Sequence, residues 1–116
     1  MIYHITSRTS WLVAKKSGSY TADSLATAGF IHCSKLEQVE RTANVWYTGQ
    51  HGLVLLEIDE TRLRSEVRYE PGTDKPDDLF PHIYGPLNVD AVIHVHDFEP
   101  DPSGHFSLPP ALNTVH

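Results

Sequence analysis

The sequence predicts an α+β fold of short strands and short helices, and three segments carry that prediction. Leu53-Val54-Leu55-Leu56-Glu57-Ile58 is a nearly unbroken apolar run of strand length, as expected of a strand buried on both faces. Glu66-Val67-Arg68-Tyr69-Glu70 alternates polar and apolar residues, as a half-buried strand does. Between such runs lie segments with helical spacing that stop at glycine, at Gly18, Gly29 and Gly49.

Taken in order, Ile2-Tyr3-His4-Ile5 reads as a first strand, followed by a helix through Trp11, Leu12, Ala14 and Lys15 to Gly18. Tyr20 opens a new unit in which Thr21 or Asp23 caps a short helix through Leu25 and Ala28, and Phe30-Ile31-His32-Cys33 then reads as a strand. Ser34 with Glu37 three residues on has the spacing of a capping box for a helix through Val39, Thr42, Ala43, Trp46 and Tyr47. The strand from Leu53 to Ile58 is expected at the centre of the sheet. Pro71 to Asp78 is rich in Gly, Pro and Asp and reads as a mobile surface loop. Phe80 to Tyr84, Ala91 to Val95 and Phe106 to Leu108 complete the expected strands, and the tail from about Pro109 is expected to be loose.

With 116 residues the chain has the length of one domain, residues 1–116, and 40% hydrophobic with 21% charged residues is the balance of a globular protein. The net charge of -6 argues against nucleic acid as a partner, because phosphate binding depends on Lys and Arg. No apolar run approaches the roughly 20 residues that span a bilayer, so no membrane partner is expected. Cys33 is the single cysteine, which excludes an internal disulfide and suits a reducing, cytoplasmic setting. A small-molecule ligand is the expected partner, on the histidine pattern that follows.

Histidine carries the chemistry. Side chains alternate across a strand, so His4 and Thr6 share a face, as do His32 and Ser34, and His82 and Tyr84. Three strands thus repeat histidine, an apolar or thiol residue, then a hydroxyl. If they are neighbours, their imidazoles and hydroxyls form one wall that donates and accepts hydrogen bonds without fixed charge, suited to a sugar, an amide or a phosphate ester. The expectation is that His4, His32 and His82 converge on one concave site. Any one of them alone reads more simply as a partly buried strand histidine bonded to a backbone carbonyl, and it is the threefold recurrence that points to a site. Cys33 points away from His32 and is expected in the interior, and Glu70, at the end of its strand, is placed to reach a pocket mouth as a general base. His94 and His96 share a face as well, but with no third ligand at suitable spacing no metal is expected. Trp11, Trp46 and Phe80 read as core or groove aromatics.

The motifs Gly29-Phe30-Ile31-His32-Cys33-Ser34 and Phe80-Pro81-His82-Ile83-Tyr84-Gly85-Pro86, with Tyr3-His4-Ile5-Thr6, Gly18-Ser19-Tyr20, Gln38 and Asp90-Ala91-Val92, resemble the bacterial domain of unknown function family numbered 952 (DUF952). That resemblance covers nearly the whole chain. It implies a remote relation to the ADP-ribosyltransferase fold, a split, mainly antiparallel α+β sheet that binds NAD in a central cleft. On that relation His4-Ile5-Thr6 is similar to the strand that contacts the NAD ribose, although isoleucine replaces the usual glycine. His32-Cys33-Ser34 is similar to the second strand of the cleft, notably in RNA 2′-phosphotransferases. The resemblance therefore implies NAD or ADP-ribose as ligand, with His32 and Glu70 as catalytic residues and His4, Thr6, Ser34, His82 and Tyr84 as ligand contacts. No position clearly matches the late glutamate of those transferases, and Glu70 stands in for it. The alternative is a binding or accessory module that keeps the fold without the chemistry.

Overall fold

The computed structural model describes residues 1–112. The chain folds as α+β, and the described residues form eight strands, β1 (Ile2–Ser7), β2 (Ser19–Tyr20), β3 (Ile31–His32), β4 (Leu53–Ile58), β5 (Glu66–Pro71), β6 (Leu79–Tyr84), β7 (Leu87–Asn88) and β8 (Val92–Phe98), and three α-helices, α1 (Arg8–Ser17), α2 (Asp23–Ala28) and α3 (Val39–Trp46). All strand pairing is antiparallel: β4 lies between β1 and β8, β6 lies between β3 and β5, and β2 pairs with β7.

The two three-stranded sheets meet at a split. There Tyr3 and Ser34 form an isolated bridge, the Tyr3 amide donating to the Ser34 carbonyl at 2.9 Å and the Ser34 amide to the Tyr3 carbonyl at 2.8 Å. This bridge sets which side chains share a face across the split.

Each face has its own core. Ile2, Val54, Leu56 and Ile58 of one sheet and Ile31, Cys33 and Ile83 of the other face Trp11 and Ala14 of α1, with Tyr20 and Leu87 of the small β2–β7 pair. On the opposite face Tyr3, Ile5, Leu53 and Leu55 pack under Val39 and Ala43 of α3 and against Phe98 and Phe106. The apolar run of β4 thus supplies both cores, Val54 and Leu56 to one and Leu53 and Leu55 to the other, which is why it does not alternate.

Local chemistry explains the boundaries. Ser7 caps α1 by accepting from the Ser10 amide, and Gly18 at φ 87° closes it by donating its amide to the Ala14 carbonyl at 2.8 Å. Three expectations need correction. Neither Thr21 nor Asp23 caps α2, because Ala22 is the N-cap and Asp23 is the first helical residue. Ser34 does not cap the next helix, since its backbone is engaged with Tyr3; the chain turns one residue later, where the Gln38 carboxamide accepts from the Lys35 amide at 2.8 Å and a 3-10 turn over Leu36–Gln38 leads into α3. Phe106 to Leu108 is not a strand. Asn44 of α3 takes the place of a strand partner, accepting from the Phe106 amide at 2.7 Å and donating to its carbonyl at 3.0 Å. Of the tail, Pro109 is buried and Leu112 packs against the α3-side core, while residues 113–116 lie outside the described residues.

Candidate functional site

The split leaves an opening on the α3 side. Helix α3 covers β1 and β4, and beyond it the loop after β5 rises beside β6, so the space between helix, loop and split is a cavity of about 460 Å³. Its lining includes Tyr3 and Ile5 of β1, His32 and Ser34, Thr42, Trp46 and Tyr47 of the α3 end, Gly72 to Asp74 of the loop, and Phe80 and His82 of β6. Gly72 has to be glycine where it stands, because a Cβ there would lie 2.4 Å from the Phe80 ring. The loop read as mobile is tied to the helix: Arg41 pairs with Asp74 at 3.0 Å, and Gln38 donates to Asp78 at 2.8 Å.

Strand pairing sorts the three histidines. His32 lies opposite His82 in the β3–β6 register, so the two share a face and their ring centroids are 5.4 Å apart. Tyr3 lies opposite Ser34, which puts Tyr3 and Ile5 on the His32 face and His4 and Thr6 on the other. All three histidines line the cavity, but they do not present their rings on one face. His32 and His82 meet at the cavity, while His4, which touches the wall of the cavity at the split, sends its ring toward the α1-side core.

His4 is fully occupied. Its Nδ1 lies 2.5 Å from the His32 carbonyl and its Nε2 2.8 Å from the Tyr20 hydroxyl, which lies 2.9 Å from the Thr6 hydroxyl. Burial holds the ring well below the usual histidine range, at about 4, with the bond to the His32 carbonyl acting the other way and the nearby His32 ring adding to the depression. A neutral ring has one N–H, and a carbonyl only accepts, so Nδ1 carries the proton. Nε2 then accepts from Tyr20, and the Thr6 hydroxyl donates to the Tyr20 oxygen. Desolvation likewise raises the Tyr20 hydroxyl to about 12. This network clips β1 to β2 and β3 and leaves no polar group free.

His82 is different. Its Nδ1 lies 2.8 Å from Glu70 Oε1, which also accepts from the Tyr84 hydroxyl at 2.6 Å. The Tyr84 and His82 bonds hold the Glu70 carboxyl below the usual carboxylate range, so it is ionised and the Nδ1 proton belongs to His82. The second nitrogen, Nε2, has no partner among the described residues, and no buried side-chain nitrogen or oxygen among them lacks one, so Nε2 keeps some exposure on a ring that lines the cavity. Phe30 stacks on the His82 ring at 4.1 Å and meets His32 edge-on at 4.8 Å, and Arg68 lies 4.3 Å over the Tyr84 ring. His32 is exposed, has no side-chain hydrogen bond among the described residues, and is shifted downward by desolvation first and by His82 second.

Of the residues expected at the site, His4, His32, Ser34 and His82 line the cavity, His4 at its wall with both ring nitrogens bonded inside the fold. Glu70 and Tyr84 stand behind His82 and do not line it, and Thr6 lies on the other face. Ser34 is buried, its hydroxyl 3.4 Å from that of Thr42. Cys33 packs in the α1-side core, where desolvation strongly raises its thiol. His96 bonds to Glu57 at 2.9 Å. Sequence reasoning missed Phe30 as a site residue, though its place two before His32 on the same face would have found it; the contribution of Tyr3, Thr42 and Tyr47 depends on packing across the split and has no local signal.

The sequence profile of a family described as "Protein of unknown function (DUF952)" matches residues 5–95. The chain belongs to the DUF952 family. Its structural likeness extends to protein CC0527 from Caulobacter crescentus, whose crystal structure is 35% identical with a TM-score of 0.86, covering 97% of this chain and 98% of that one. The solution NMR structure of CC0527 is 37% identical with a TM-score of 0.76, covering 90% of this chain and 89% of that one. No curated protein matches. As a DUF952 protein the chain shares a fold whose site has to be read from its own geometry, and no helix among the described residues is long and apolar enough to cross a membrane.

Proposed function

We propose that the cavity at the sheet split is a small-ligand site, that its ligand is NAD or an ADP-ribose derivative, and that the reaction class is ADP-ribosyl or glycosyl transfer on an ADP-ribosyltransferase-like sheet. The observation that carries the reading is the meeting of His32, Ser34 and His82 on one wall of a cavity whose other walls are Trp46, Tyr47 and Phe80. Aromatic walls and neutral polar groups fit the ring and ribose parts of such a ligand. The lining holds no Lys or Arg, so a pyrophosphate would sit at the mouth, beside Arg41, rather than inside.

A second reading, a binding module without chemistry, draws on one specific observation. Glu70 is spent on His82 and Tyr84, and Asp74 is paired with Arg41, so both nearby carboxylates already have partners. Calorimetric titration with NAD and ADP-ribose tests the proposal: binding is expected, weakened about five- to hundredfold in His32→Ala, which leaves ligand polar groups unpaired. Failure of both ligands to bind at millimolar concentration overturns the ligand assignment. Release of nicotinamide from NAD separates the enzyme from the module.

A further inference from the structure

We infer that the cavity recognises a ligand hydroxyl through the His82–His32 pair, with Glu70 as the positioning residue that fixes the His82 tautomer with its proton on Nδ1. This rests on the reading of the cavity as a small-ligand site and narrows it to the group that is read there.

The geometry leads there in three steps. Glu70 Oε1 accepts from both Nδ1 of His82 and the Tyr84 hydroxyl, so the acidic partner behind the ring is fixed from two sides. In the tautomer whose Nδ1 donates to Glu70, Nε2 carries a lone pair, and the His82 ring lines the cavity. The opposed His32 ring, with no side-chain hydrogen bond among the described residues, can present an N–H beside it at a ring separation of 5.4 Å. One side therefore accepts and the other can donate. A hydroxyl satisfies both at once, whereas a carbonyl or an ether leaves Nε2 unpaired and an ammonium clashes with the donor. Phe30 stacked on His82 at 4.1 Å holds the acceptor ring in plane, and the Tyr47 and Trp46 side takes the apolar face of the same ligand. The ligand class is thus sugar-like, a ribose or another ring carrying hydroxyls. His4 and Thr6, which share the sequence pattern, offer no free donor or acceptor for it.

Two measurements test this, and the first uses no ligand. Nitrogen NMR of the His82 ring in the wild-type protein at neutral pH should show Nδ1 protonated and Nε2 bare. Glu70→Ala should move the tautomer ratio toward Nε2–H by about tenfold or more, the effect of losing a bond to a charged acceptor. Glu70→Gln, which retains an acceptor oxygen, should restore much of the wild-type ratio. A wild-type His82 carrying its proton on Nε2, or a ratio indifferent to Glu70→Ala in a folded variant, overturns the inference while leaving the cavity itself intact. The second measurement compares adenosine with 2′,3′-dideoxyadenosine by titration against the same nitrogen signals. Adenosine should perturb His82 Nε2, and the analogue without ribose hydroxyls should bind at least about tenfold more weakly, because it leaves polar groups unpaired. Equal affinities, or no binding of either, overturn hydroxyl recognition, and the NAD titration then decides separately whether the cavity binds ligands at all.

Discussion

The networks around His4 and around His82 start from one sequence pattern, histidine followed two residues later by a hydroxyl, and end with opposite properties. His4 has both ring nitrogens bonded inside the fold, to the His32 carbonyl and to Tyr20, and the chain of bonds ends at Thr6. His82 has one nitrogen bonded, to a carboxylate, and the other open to a cavity. A polar network whose members are all satisfied is a clip that holds strands together, while a network with one oriented, unsatisfied member at a cavity wall can recognise something. What separates them is the parity of strand pairing across the split: Tyr3 rather than His4 stands opposite Ser34, so the first histidine faces a core and the other two face space.

The widest separation between the two networks should appear in stability. Replacing His4 by Ala orphans the Tyr20 hydroxyl and the His32 carbonyl and opens a cavity in the α1-side core, at a cost of about 3 to 5 kcal/mol. His82→Ala should cost clearly less, because its partner Glu70 is one-third exposed in its side chain and regains water. Urea unfolding at neutral pH measures both variants, and equal losses would mean that the two networks are alike in kind.

The second separation is in pH dependence. Burial depresses His4 from 6.5 to about 4, so the unfolded chain binds its proton more readily than the folded one between those values. Stability from this group is complete above pH 6.5 and is lost as pH falls toward 4, a loss of about 3 kcal/mol by pH 4. Other groups titrate in the same window, so the contribution of His4 is the difference between wild type and His4→Gln. Wild type should lose about 3 kcal/mol more than the variant between pH 7 and pH 4. Parallel stability curves would show that His4 is not held neutral by burial.

Much of the fold was legible because local signals agreed with it. Gly18 and Gly29 both close helices, β4 is central, and β5 and β6 lie where alternation and apolar runs put them. The errors cluster where a tertiary partner replaced a local one. Ser34 lost its capping role to a backbone bridge with Tyr3, and Phe106 to Leu108, strand-like in composition, is held by Asn44 and by Glu40, which accepts from the Leu108 amide at 2.8 Å. The site was half legible. Period-two spacing placed His32 with Ser34 and His82 with Tyr84 on common faces, and the antiparallel register joined the two pairs. Nothing in the spacing of His4 and Thr6 reveals which face of the sheet they take, because that depends on how two separate sheets abut at one bridge. Glu70 was legible as a carboxylate near the site, but its side chain turns back onto His82 and Tyr84 instead of forward to the cavity.

The smallest expected effect is the sharpest test of the comparison, since it removes a single oxygen from each network. In Tyr20→Phe the His4 Nε2 lone pair and the Thr6 hydroxyl both lose their partner in a region with no water to replace it, Tyr20 being only 5% exposed. An unpaired buried group costs about 1 to 3 kcal/mol, and the retained ring keeps the packing, so the loss should fall near 2 kcal/mol, about the middle of that range. In Tyr84→Phe the missing hydroxyl uncovers one lone pair of Glu70, which solvent can reach, so unfolding should shift less than in Tyr20→Phe. The His82 tautomer should nevertheless survive, because its own bond to Glu70 is untouched. Side-by-side denaturation of the two variants reads the difference directly. If Tyr84→Phe proves the more destabilising, the His82 network is the structural clip and the His4 network has to be re-examined as the open one.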